Sequence, residues 1–119
     1  MRILMLLLFI VSTSGYAQTT KQTPEQKFQR DLENDKIQLY FIGGIASRVT
    51  DKDAKFVANY HIAYHDFGCT PPPSLSDYAA YNVHVLNHLA EKFGNDWEKD
   101  IRKDILGWEK WKEKQTQKL

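Results

Sequence analysis

Four histidines fall in two pairs spaced four residues apart, His61/His65 and His84/His88. On a helix that spacing sets both rings on one face, where they can hold a single Zn²⁺ or Cu²⁺. On a strand it also keeps one face, but spreads the two Cα atoms over about 13 Å, too far for easy chelation. His84/His88 is therefore the better pair. The residue after His84 is Val85, so the glutamate of a His-Glu-x-x-His protease helix is missing. Two ligands alone do not close a metal site, and the simpler expectation is a pair of polar residues flanking a core stripe, with no metal and no cofactor.

Cys69 is the single cysteine and follows His65 and Asp66 closely. A Cys/His/Asp set suits nucleophilic catalysis, with imidazole generating the thiolate. Catalytic partners are normally assembled by the fold rather than by neighbouring positions, and no family-specific nucleophile signature surrounds Cys69. The expectation is a buried thiol packed as a small hydrophobe. Gly43-Gly44 lacks the further residues of a phosphate loop and reads as a turn. Trp97 and Trp108 read as core, while Trp111, among Lys110, Lys112 and Lys114, would be a contact residue if exposed.

The elements that must position these groups follow from periodicity and caps. Thr23-Pro24-Glu25-Gln26 opens a first helix with a capping box, ending near Asn34-Asp35. Ile37 to Ile42 is apolar, β-branched and aromatic, and predicts a buried strand before Gly43-Gly44. Thr50-Asp51-Lys52-Asp53 caps a second helix through about Tyr60, with Ala54, Val57, Ala58 and Phe56 as its apolar face. The run 61–68 alternates and predicts a second strand that turns from Asp66 onward, which makes a minimal βαβ unit. Thr70-Pro71-Pro72-Pro73-Ser74 is a stiff connector. Beyond it, Tyr78, Tyr81, Val85, Leu89 and Phe93 form one face of a helix over about 77–93, ended by Gly94 in a left-handed conformation. Asn95-Asp96 is expected to cap a last helix whose stripe is Trp97, Ile101, Ile105 and Trp108, stopping at Gly107 or running through Trp111. The expected fold class is α+β, a short βαβ sheet covered by two C-terminal helices.

Export is written into the first 17 residues. Arg2 precedes nine consecutive apolar residues, Ile3 to Val11, and Gly15-Tyr16-Ala17 places small residues at the two positions a signal peptidase reads. A membrane span would need about 20 apolar residues, so no membrane anchor is expected after cleavage. The expected mature chain is one domain over 18–119, with 18–22 and 112–119 mobile, in a periplasm or outside the cell. Removing Arg2 from the 16 Lys and Arg leaves them balanced against the 15 Asp and Glu. A zero formal charge argues against a general nucleic-acid binder, and 13% aromatic residues argue against disorder. One cysteine excludes an internal disulfide.

The stretch Phe56-x-x-x-Tyr60-x-Ile62-x-Tyr64-His65-Asp66-Phe67-Gly68-Cys69, with Tyr81-Asn82, Phe93-Gly94-x-x-Trp97 and Ile101-Arg102-Lys103-Asp104, resembles a family of short secreted proteins of Gram-negative bacteria. The likeness spans roughly Leu39 to Trp108, and Tyr-His-Asp-Phe-Gly-Cys is its most specific run. It implies a single exported domain and brings no catalytic residues, because the family has no assigned activity. The resulting expectation is a small non-enzymatic binding or interaction module for a protein or small-molecule ligand. The alternative is a small thiol enzyme or hydrolase using His65, Asp66 and Cys69.

Overall fold

The computed structural model describes residues 21–45 and 48–118; the expected signal peptide and most of the leader lie outside them. Helix α1 (Pro24–Glu33) starts at the expected box: Thr23 Oγ1 accepts from the Gln26 N–H, and Gln26 Oε1 accepts from the Thr23 N–H. Strand β1 (Gln38–Phe41) follows, then helix α2 (Asp51–Tyr60), where Thr50 and Asp53 form a second reciprocal box. Strand β2 (Ala63–Asp66) lies parallel to β1, with Gln38 opposite Ala63 and Phe41 opposite Asp66. The βαβ unit is thus present, with shorter strands than the sequence suggests. The second is cut back because His61 caps α2 in the left-handed region, at φ 57°.

Helix α3 (Leu75–Phe93) covers the sheet and buries Tyr81, Asn82, Val85, Leu86 and Leu89. Ser74 holds the N-cap position without a side-chain hydrogen bond, and Gly94 ends the helix at φ 72°, ψ −128°, outside the left-handed helical region expected. Helix α1 packs on α3 through Phe28, whose ring meets Tyr81 edge-on at 6.1 Å. The Tyr81 hydroxyl donates to Asp31 Oδ2 at 2.7 Å. Burial, and then that bond, push the Tyr81 phenol pKa upward.

The C-terminal part departs from the expected continuous helix. Asp96–Lys99 is a single 3-10 turn, and helix α4 (Trp108–Gln117) begins only after Gly107. Residues 112–117, read from sequence as a tail, belong to α4. Between the two helical pieces the chain runs antiparallel beside β1, with Ile105 bridging Phe41 and the Leu106 N–H donating to Tyr40 O at 3.0 Å. The sheet thereby gains a rudimentary third partner. Gly107 makes the reversal possible: its φ is 84°, and a Cβ there would lie 3.0 Å from the Ala79 carbonyl oxygen. Trp97, Ile101, Ile105 and Trp108 are all buried as expected, but from three different segments. Trp111 is buried too, at 2% exposure. It packs against Trp97 and Trp108, with its Nε1 donating to Asn87 Oδ1, so it is not a surface contact residue. The described residues form one α+β domain, and none of its described helices is long and apolar enough to cross a membrane.

Candidate functional site

Helix α2 turns Asp53 and Phe56 into the core and leaves Ala54 and Ala58 exposed, with Val57 half-buried. That reverses the expectation for the two alanines. Their side chains, together with Val57, Ala63 of β2 and Val49 of the preceding loop, wall an open cleft of about 460 Å³ with Phe41, Tyr64 and Arg102 also lining it. Val49 is 85% exposed and so adds unburied apolar surface at the cleft.

Arg102 fixes the polar end of this cleft. Its Nη1 donates to Asp53 Oδ2 at 2.8 Å and to the Arg48 carbonyl at 3.1 Å, while Nε and Nη2 grip both oxygens of Asp104. The guanidinium carbon sits 4.0 Å from the centre of the Phe41 ring, within the range of cation–π attraction. The Arg102 side chain is 16% exposed and that of Asp53 7%, so the pair is largely withdrawn from water. The bonds to Asp104, and then to Asp53, raise the Arg102 pKa against the opposing effect of burial. The Arg102 N–H donates to the Tyr64 hydroxyl at 3.1 Å. Burial raises the Tyr64 pKa, so the phenol keeps its hydrogen at neutral pH. With two carboxylates on one guanidinium, the cleft carries no excess positive charge for an anion. Its chemistry suits an uncharged apolar group.

The residues singled out for chemistry lie elsewhere. His65 and Asp66 are consecutive on β2 and point to opposite faces. The His65 ring rests against Tyr40 at 5.4 Å and Phe67 at 4.9 Å. Asp66 Oδ1 accepts from the N–H groups of Gly43 at 2.8 Å and Gly68 at 2.7 Å, tying the turn after β1 to the turn after β2. Gly43-Gly44 lies in the connection after β1, with Gly44 at φ 70° and its N–H also donating to Gly68 O. Cys69 is exposed. The expectation of a packed thiol is corrected here: Cys69 sits in the turn beyond the strand, ahead of the prolines, where no core surface is offered to it.

His84 and His88 do share one face of α3, as their spacing requires. Phe28 of α1 lies against that face, with its ring centre 5.9 Å from each imidazole. Among the described residues no group of three or more His, Cys, Asp or Glu side chains is placed to hold a metal ion. His61 belongs to the α2 cap and does not share a strand with His65.

Sequence reasoning missed the polar residues that organise the cleft and the sheet, namely Asp53, Arg102 and Asn82. Asp53 was visible only as a capping residue. Arg102 and Asp104 stand in a mixed-charge run that reads as a solvated face, and their role depends on contacts made far along the chain. No family model, no curated protein and no solved structure matches the chain.

Proposed function

We propose that the protein is a small non-enzymatic binding module whose site is the cleft between α2 and β2, and that its ligand is an uncharged, apolar small molecule. The single observation carrying this reading is an apolar opening of about 460 Å³, a size typical of small-molecule sites. Among the described residues lining it the one cation, Arg102, is paired with both Asp53 and Asp104. The alanines at 54, 58 and 63 give the ligand room, and the Tyr64 hydroxyl supplies a polar group for orientation. The signal pattern of residues 1–17 supports action in a periplasm or outside the cell, and mass spectrometry of the exported protein is expected to find Gln18 at the N-terminus. Intact Met1 in the exported protein would remove that part of the reading.

A neutral apolar fluorophore, N-phenyl-1-naphthylamine, tests the cleft. The native protein is expected to enhance its emission saturably. Ala54→Trp and Ala58→Trp, both at exposed positions, fill the opening and are expected to abolish that signal. Substitutions of this kind cost little stability, which thermal unfolding checks. Equal enhancement by native and filled proteins would place any binding elsewhere.

A further inference from the structure

Three tyrosine rings from β1 and α3 converge on one point on the other side of the molecule. The Nζ of Lys27 lies 5.0 Å from the centre of the Tyr40 ring, 5.1 Å from Tyr78 and 5.4 Å from Tyr81. It also donates a hydrogen bond to the Tyr40 hydroxyl at 3.0 Å. A cation within about 6 Å of a ring centre is attracted by the ring's negative face; here the Tyr78 and Tyr81 rings supply that attraction, while Tyr40, met at its hydroxyl edge, supplies the hydrogen bond, and together they make an aromatic cage. We propose that this cage is a recognition site for a primary alkylammonium group, the lysine side chain of a partner protein, with Lys27 as its resident competitor.

The cage is held by contacts that do not involve Lys27. Tyr40 touches Tyr78 at 4.7 Å and Tyr81 at 5.3 Å between ring centres. The Tyr40 backbone is fixed by Asn82, and the Tyr81 hydroxyl by Asp31. Helix α1 is docked independently by Phe28 and Asp31. Lys27 can therefore leave by changing its own rotamers while α1 stays in place.

Access and charge point the same way. A cavity of about 110 Å³ opens beside Lys27, lined by Pro24, Ser74, Asp77, Tyr78 and Tyr81 among others. The half-exposed Asp77 carboxylate on its rim faces Lys21 Nζ at 3.4 Å, and so provides a second position that favours a cation. Two lysines of this chain thus occupy the places that an incoming basic segment would use. The Tyr40 hydroxyl accepts from an N–H, which a primary ammonium has and a quaternary one lacks, so the site favours lysine over its trimethylated form.

The test is an NMR titration of native protein and Lys27→Ala with n-butylammonium chloride, which carries the four carbons and ammonium of a lysine side chain. Tetramethylammonium chloride and potassium chloride serve as comparisons. Lys27→Ala is expected to show saturable shifts of the Tyr78 and Tyr81 ring protons, with an affinity at least about tenfold above native, because the competitor is gone. Tetramethylammonium is expected to bind more weakly. In the native protein the Lys27 ε-methylene resonance is expected to move toward the position of a solvated lysine as n-butylammonium saturates. Ring shifts in folded Lys27→Ala no larger than those caused by potassium chloride would overturn the proposal. If Lys27→Ala does not fold, the native titration decides: an unmoved Lys27 resonance makes this lysine a staple of the fold and overturns the proposal, and a released one supports it.

Discussion

The carboxamide of Asn82 meets the backbone of Tyr40 as a neighbouring strand would. Its Oδ1 accepts from the Tyr40 N–H at 3.0 Å, and its Nδ2 donates to the Tyr40 carbonyl at 2.8 Å. The second Nδ2 hydrogen reaches the Leu106 carbonyl at 2.9 Å. One fully buried side chain on α3 thus satisfies the edge of β1 that β2 does not cover, and fixes the segment that leads into α4. A sheet of two four-residue strands, which would be marginal alone, thereby gains a third set of backbone partners.

Asn82→Leu keeps the volume and removes all three bonds. The Tyr40 N–H and the carbonyl of Leu106 are then left in the core without this partner, and a buried unsatisfied polar group costs about 1–3 kcal/mol. The expected loss of unfolding free energy is about 2–5 kcal/mol, read from urea unfolding followed by tryptophan fluorescence. A loss below about 0.5 kcal/mol, within the range of ordinary surface changes, would mean that the clasp is dispensable.

Much of this architecture is legible in the sequence, for reasons that are local. Thr23/Gln26 and Thr50/Asp53 satisfy helix N–H groups with side chains only three residues away, so both starts can be read directly. The Tyr81-Val85-Leu89 spacing likewise reveals α3. The C-terminal stretch misleads because Trp97, Ile101, Ile105 and Trp108 have helical spacing and are all buried, yet burial is reached by three separate segments. Ile105 finds its partner in Phe41, more than sixty positions away. The one contrary sign is Gly107 inside the apparent stripe; its positive φ belongs to a helix start here. The cleft is hidden for a similar reason. Ala54, Val57 and Ala58 form the same pattern whether they pack on a core or line an opening, and only the placement of Phe56 and Arg102 decides.

Acid is expected to loosen the α1–α3 contact through His88. Burial, and then the neighbouring Lys92, lower its pKa from the ordinary value near 6.5, against a raising effect of Glu91. The unfolded chain therefore binds this proton more readily than the native one, and stability must fall as pH drops through about 6.5. The contribution is complete above that pH. Thermal unfolding at about pH 7.5 and about pH 5.5 is expected to show a smaller drop in Tm for His88→Gln than for the native protein. An equal drop in both would assign the pH dependence to other groups.

Cys69 offers the sharpest check on the chemistry around β2. Because the residue is exposed in the turn after Asp66, a thiol-alkylating reagent is expected to reach it in the native protein without denaturant. The His65 ring is engaged by Tyr40 and Phe67, and the Asp66 carboxylate receives the N–H groups of Gly43 and Gly68. Alkylation in His65→Ala is therefore expected to proceed at the native rate. Cys69→Ser is expected to change stability by no more than about 0.5 kcal/mol, as for other exposed positions. Strong protection in the native state, released on unfolding, would mean that the turn is packed against the core after all. A marked slowing in His65→Ala would show that the imidazole activates the sulfur and would restore the thiol-enzyme reading. The exposure of Cys69 and the engagement of the His65 ring by Tyr40 and Phe67 favour alkylation that is indifferent to His65.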